Sequence, residues 1–243
     1  MIFAAGLGTR LKPLTDTLPK ALVPIQGYPL LEIAIRRLIH FGFREIIINV
    51  HHFADLVEAL LAEKQNFGVD ILVSDERGLL LETGGALKKA KPWLENSPFL
   101  LTNVDVLTTL DLQTFIQEHQ QSKRLATLAI RSRKSSRYLL FDAQKKLVGW
   151  ENTKTQQKII TQQTLTQPAS YAFSGIHILD PRIFDYMPDH QEVFSIIDVY
   201  LKAAAKENIQ GYLHDQDLWL DVGKPQQLAQ ADQLVNSILK DLS

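Results

Sequence analysis

The chain contains no cysteine. That excludes disulfides, thiolate metal sites and cysteine nucleophiles, and it suits a reducing compartment, so a cytoplasmic location is expected. An excess of one charge is also missing. Lysine and arginine number 26 against 27 aspartates and glutamates, a net charge of −1, and no basic block occurs, so nucleic acid is not an expected partner. No apolar run approaches the ~18 residues that would span a bilayer, so no membrane is expected either. Met1-Ile2-Phe3 has no basic stretch ahead of it and does not read as a signal peptide. It leads directly into a strand so short that a few residues upstream of Met1 would fit the pattern. What is present is ordinary for a globular protein: 45% hydrophobic and 22% charged residues in a chain of 243, enough to bury a substantial core.

The most informative stretch follows that strand. Residues 2–5 are apolar, the chain breaks at Gly6-Leu7-Gly8, and the cations Arg10 and Lys20 stand ten residues apart. Glycine lets backbone N–H groups approach an anion closely, because no Cβ intervenes. Successive amides then form an anion-holding concavity, to which Arg10 and Lys20 can add charge. A Gly-rich turn with two solvated cations is the bland alternative. Two familiar phosphate loops are excluded: a dinucleotide fingerprint needs glycine at position 11, which is Leu11, and nothing supplies the G-x-x-x-x-G-K-[ST] of a P-loop.

Downstream, apolar residues recur at helical spacing from Leu30 to Ile39, and Gly42 stops that helix. Residues 45–50 form an apolar run that reads as a buried strand, followed by a helix over 54–67 closed by Gly68, and a strand over 69–74. This β-α-β-α-β rhythm predicts an open, mostly parallel sheet, whose ligands sit outside the carboxyl ends of its strands. His51-His52 reads as a loop pair. At 83–91, Thr83 can cap a helix. Residues 99–106 form an apolar strand closing on Asp105; an unpaired buried carboxylate is costly, so its place suggests a ligand of opposite charge, a cation. A helix over 111–122 and a strand over 125–131 follow. Between 131 and 167 short β-rich pieces (138–141, 147–150) predict hairpins forming a lid or substrate platform, and Arg131, Arg133, Lys134 and Arg137 read as a solvated basic turn. Residues 172–179 read as a central strand in which Gly175 points to close approach by a ligand or another backbone. Ser195, with Asp198 three residues on, caps a helix. Asp221 ends a further strand, and Pro225 opens the closing helix, 225–240.

The run Gly6-Leu7-Gly8-Thr9-Arg10-Leu11-Lys12-Pro13-Leu14-Thr15, then Pro19-Lys20, resembles the signature of the sugar-phosphate nucleotidyltransferases, G-x-G-T-R-x-x-P-L-T followed by P-K. The likeness continues through Leu22, Pro24, Gly27, Pro29 and Glu32, and it covers nearly the whole chain. It implies an α/β fold, an open, mostly parallel Rossmann-like sheet with helices on both faces and a small β-rich substrate lid. It also implies a single nucleotidyltransferase domain over 1–243, with a nucleotide-binding half (1–130) and a sugar-binding, closing half (131–243). No hexapeptide repeat of a left-handed β-helix follows, unlike longer relatives.

By this resemblance Ala5, Gly6, Gly8 and Thr9 wrap a nucleoside triphosphate, and Arg10 and Lys20 neutralise its phosphates. The stretch Leu81-Glu82-Thr83-Gly84-Gly85 resembles one whose backbone reads the nucleobase edge, which puts Thr83, Gly84 and Gly85 in the nucleotide site and Glu82 at a position that varies with substrate class. Asn103-Val104-Asp105 resembles the family's N-x-D, often N-G-D, and Trp219-Leu220-Asp221-Val222-Gly223-Lys224-Pro225 its W-x-D-[IV]-G-[TK]-P. Asp105 and Asp221 are then the carboxylates for a catalytic Mg²⁺. Asn103, Glu151 and Gly175 fall to the sugar. Asn152 departs from the family pattern by replacing a lysine, for which Lys154 or Arg131 could substitute.

The expected partners are an NTP and a sugar 1-phosphate, whose oxygen attacks the α-phosphorus directly and releases pyrophosphate. UTP with N-acetylmuramate 1-phosphate is the leading pair, and GTP with mannose 1-phosphate the alternative. A non-catalytic, nucleotide-sugar-sensing homologue is the reading from another class; such homologues tend to lose the cations or acids, and Arg10, Lys20, Asp105 and Asp221 are all present.

Overall fold

The computed structural model describes residues 1–121, 123–164 and 166–241. By contact density the chain forms two compact units, each assembled from separated stretches. The first comprises Met1–Leu80, Thr102–Leu110 and Asp217–Ser243, and the second Leu81–Leu101 with Asp111–Gln216.

The first unit is built on parallel strands. Ile2 and Phe3 lie between Ile48 and Asn49 of Glu45–Val50 on one side and Thr102 and Asn103 on the other, and Glu45–Val50 pairs in turn with Asp70–Asp75. Ile2, Ile46, Ile48 and Val50 are buried, as the continuous apolar runs of a parallel sheet require. The helix Leu30–His40 connects the first two strands and buries Leu30, Leu31, Ile33, Ile35 and Leu38. It ends as predicted at Gly42, whose φ of 87° lets the N–H of Phe43 reach back to Leu38 O at 3.0 Å.

The next helix is shorter than its composition predicts. It runs only over Ala54–Glu63, and Gln65–Gly68 forms a 3-10 turn in which Asn66 and Phe67 take left-handed backbone angles. From Ala62 to Gln65 no residue is apolar enough to extend the buried stripe of Ala54, Val57 and Leu61. Asn66, tolerant of the left-handed region, then turns the chain toward its strand.

The expected strand over 99–106 is also interrupted. It comprises Phe99–Asn103 and Val106–Thr108, with Val104 and Asp105 in a turn between them. Val104 N–H still bonds Phe3 O, but Asp105 O accepts from Val222 N–H at 2.9 Å, so the backbone is handed to a different partner. That partner is Trp219–Asp221, antiparallel to Val106–Thr108 with Asp221 opposite Val106. The closing segment begins with a 3-10 turn at Pro225–Gln227 before the helix Leu228–Asp241.

The second unit is mostly antiparallel. Ala169–Leu179 pairs with Ala126–Arg131 and with Arg137–Phe141, which is followed by Leu147–Asn152 and Gln157–Ile160 as successive antiparallel neighbours. Ile209–Leu213 adds a parallel strand beside Ala126–Arg131. The hairpins predicted between 131 and 167 are present. Gly175, at φ 77°, sits where the register between Ala169–Leu179 and Ala126–Arg131 slips, so a bulge accounts for it in the fold. The helix Leu112–Gln120 is capped by Asp111, whose carboxylate accepts from Gln113 N–H; its predicted end, Ser122, lies outside the described residues. The helix Ile196–Ala204 is capped by Ser195 as the sequence indicates. Parallel α/β in the first unit and a β-rich second unit make the fold a mixed-sheet α/β architecture. Among the described residues no helix is long and apolar enough to cross a membrane.

Candidate active site

The Gly-rich loop leaves the end of the first strand and is pinned at both ends. At its start, Ala4 N–H donates to Asn49 Oδ1 at 2.7 Å. At its far end, Gly8 O accepts from Thr15 Oγ at 2.9 Å and from Leu11 N–H at 2.8 Å. Gly8 has φ 63°, and a Cβ there would lie 2.9 Å from Thr15 Cγ2 and 3.0 Å from Lys20 Cβ. Glycine at 8 is therefore what lets the Lys20 stem lie against the loop. Gly6 differs: nothing stands within 4 Å of its Cβ position, so no protein neighbour accounts for it.

Lys20 is buried, and its ammonium donates to Asp105 Oδ2. A lysine removed from water requires such a partner. Asp221 lies close enough to Asp105 for the two charges to oppose each other. Burial first, and the Asp105 charge second, push the Asp221 carboxyl above the ordinary carboxylate range, while Lys20 and Arg10 pull it back. Asp221 Oδ1 is buried and has no hydrogen-bond partner among the described residues. Gly223 separates two of these groups. A Cβ there would lie 2.8 Å from Arg10 Nη2 and 2.9 Å from Asp221 Oδ1, so the guanidinium and the carboxylate both crowd that backbone.

The four residues singled out at 10, 20, 105 and 221 thus come together within the first unit, although 211 positions separate the outermost two (221 − 10). A buried carboxylate oxygen without a partner, beside a second carboxylate, costs free energy unless a cation joins it. The donors are hard oxygens. Among the described residues no group of three or more His, Cys, Asp or Glu side chains could hold a metal ion. A carboxylate pair of this kind fits a divalent ion that takes its remaining ligands from water and phosphate, and does not fit an all-protein cage. Lys12, by contrast, is exposed and pairs with Asp16 at 3.0 Å.

Asn103 also lies in the first unit, opposite Phe3 in the parallel ladder. The other predicted site residues lie in the second unit. A helix does start at the predicted base loop, over Glu82–Lys89, but Thr83 does not cap it. The Thr83 hydroxyl oxygen instead accepts from Ile196 N–H at 3.1 Å, capping the helix that begins there. The N–H groups of Gly84 and Gly85 both donate to Phe194 O, at 2.9 and 3.3 Å. A Cβ at Gly85 would lie 1.9 Å from Glu192 O, and one at Gly84 2.4 Å from the Phe194 ring, so packing accounts for both glycines. Glu151 accepts from Ser170 Oγ at 2.8 Å.

The basic turn is only partly solvated. Arg131 donates to the carbonyls of His214 and Asp215, and Arg133 to that of Phe173, so these two staple backbone while Lys134 and Arg137 are exposed. His51 fills a loop role, its Nδ1 lying 2.7 Å from Glu76 O. Two residues that the sequence reading passes over also belong to the loop's surroundings: the buried Asn49, and the buried Glu76 that accepts from it at 2.8 Å.

The profile of the family described as nucleotidyl transferase matches residues 1–237. The chain is 31% identical over 232 residues to the N-acetylmuramate alpha-1-phosphate uridylyltransferase of Caulobacter vibrioides, covering 93% of this chain and 92% of that one. It is 28% identical over 230 residues to the mannose-1-phosphate guanyltransferase of Yarrowia lipolytica, covering 93% of this chain and 60% of the relative. Among solved structures, the inositol-1-phosphate CTP transferase of T. maritima superposes with a TM-score of 0.78 at 18% identity, covering 98% of this chain and 94% of the other. With the family profile spanning nearly its full length, the chain belongs to the nucleotidyl transferase family.

Proposed function

We propose that the chain transfers a nucleoside monophosphate from an NTP to a sugar 1-phosphate, releasing pyrophosphate. The observation that carries this reading is the buried Oδ1 of Asp221, without a hydrogen-bond partner among the described residues, beside Asp105, with Lys20 and Arg10 next to it and the glycine loop adjoining. Asp105 and Asp221 would hold Mg²⁺, which when bound supplies Lewis-acid polarisation of phosphate oxygens and neutralises their charge. The remaining chemistry belongs to the chain. Lys20 and Arg10 bring fixed positive charge to the triphosphate, and Lys20 exchanges its bond to Asp105 for a phosphate oxygen. The glycine loop, open at Gly6, lets the phosphates approach backbone amides.

The sugar phosphate oxygen forms a bond to the α-phosphorus as the bond to pyrophosphate breaks, so no residue needs to act as a covalent nucleophile. Positioning two anions in line and offsetting their charge is the work required of the protein.

UTP and N-acetylmuramate 1-phosphate are the proposed substrates, supported by the near end-to-end match to the Caulobacter vibrioides uridylyltransferase. The Yarrowia lipolytica relative supports GTP and mannose 1-phosphate as the second reading. Pyrophosphate release measured with four NTPs against a panel of sugar 1-phosphates tests both. A higher kcat/KM for UTP with N-acetylmuramate 1-phosphate is expected, and a clear preference for the GTP pair would overturn the uridylyl assignment while leaving the chemistry.

A further inference from the structure

Asn49 is the fifth residue of the strand Glu45–Val50 and is buried with both ends of its amide in use. Its Oδ1 accepts the Ala4 N–H at 2.7 Å and its Nδ2 donates to Glu76 Oε1 at 2.8 Å. Glu76 Oε1 accepts from Nδ2, which turns Oδ1 toward the Ala4 N–H, the donor it needs. Parallel register makes the arrangement possible, since Phe3 lies opposite Asn49 and Asn49 opposite Ser74. Glu76 is itself fixed: its N–H donates to Val50 O at 2.7 Å, and its carbonyl meets His51 Nδ1.

Ala4 is the first residue past the ladder of Ile2–Phe3 and the first of the glycine loop. Asn49 thus takes hold of the chain where strand becomes loop. Thr15 and Leu11 hold Gly8 at the other end, while Gly6 and Leu7 between them are exposed.

We infer that Asn49 and Glu76 are positioning residues for the triphosphate loop: Glu76 orients the Asn49 amide, and Asn49 fixes the point from which the loop departs. A loop held at both ends loses less conformational freedom when its exposed middle closes on an anion, so the pair contributes to nucleotide affinity without touching nucleotide. The inference rests on the nucleotide-binding reading of the loop.

Titration calorimetry with UTP and with GTP, each in MgCl₂ and without sugar phosphate, tests it alongside thermal melting. Asn49→Ala should weaken binding about tenfold, the scale of one lost hydrogen bond, and it should also lower Tm by removing the bond between Nδ2 and Glu76 Oε1. Glu76→Gln retains an acceptor for Nδ2 and should bind within about twofold of wild type. The decisive variant combines Asn49→Ala with Glu76→Leu. It removes the carboxylate that the Asn49 amide served and should regain part of the lost Tm, yet Ala4 remains unheld and affinity should stay low; it also carries the test alone if Asn49→Ala does not fold. Recovery of affinity together with Tm would show a purely structural role and overturn the inference, as would wild-type affinity in a folded Asn49→Ala. Absence of UTP and GTP binding in the wild type would instead remove the nucleotide reading, and this inference with it.

Discussion

Asp221 carries two opposed consequences of one environment. Its carboxylate is pressed by burial and by Asp105, with one oxygen lacking a partner among the described residues, so the charge does not stabilise the free protein. Asp221→Asn should therefore melt at or above the wild-type temperature at pH 7 while losing roughly 10²–10³ in turnover, or ~3–4 kcal/mol, because the proposed reaction requires an anionic oxygen at this position. Asp105→Asn should lose as much activity but should also lose stability, since Lys20 would keep a buried charge without its ion pair. A turnover assay and a melt on the same preparations check both, and near-wild-type kcat for either variant at saturating Mg²⁺ would remove that residue from the site. These acids were legible in the sequence because each closes a short apolar run inside a specific motif. Asn49 and Glu76 were not. A lone Asn in one strand and a Glu beyond the next have no periodic relation, and only the parallel register makes them neighbours.

Among the elements, long apolar runs and marked helix ends were the readable features. Glu45–Val50 stands at its predicted limits, and the helices ending at Gly42 and capped by Ser195 follow their signals. Elements shaped by a distant partner were harder. The strand at 99–106 is broken because Asp105 O turns to Val222, and the helix at 54–67 ends once its buried face is exhausted. Thr83 and the two glycines after it had an ambiguous local pattern, since the partners that explain them, Glu192, Phe194 and Ile196, lie over a hundred residues away. Their packing makes a stability prediction independent of ligand. A methyl group at Gly85 would meet Glu192 O at 1.9 Å, contact that only backbone movement relieves. Gly85→Ala should cost ~2–3 kcal/mol in urea unfolding, whereas Gly78→Ala, with nothing within 4 Å, should change stability by less than ~0.5 kcal/mol. Equal stability for the two variants would show that the helix start at Glu82 is not held this way.

For the molecule as a whole, the second unit contains a built-in sensitivity to acid. His177 is buried against Tyr200, and burial pushes its pKa from 6.5 down to about 3. The unfolded chain takes up a proton at this site below about pH 6.5 and the folded chain does not, so stability is fully present above pH 6.5 and is lost progressively as pH falls toward 3. Each pH unit in that window should remove up to ~1.4 kcal/mol. Urea midpoints between pH 7.5 and 5 should decline more steeply for wild type than for His177→Gln, and parallel declines would rule the residue out as the source. The central claim concerns the reaction. Phosphorus NMR of the protein with UTP, N-acetylmuramate 1-phosphate and MgCl₂ follows every phosphate at once. The account predicts pyrophosphate and a sugar-linked diphosphate appearing at equal rates, only when both substrates are present. Release of inorganic phosphate, or pyrophosphate forming without consumption of any sugar 1-phosphate, would contradict it.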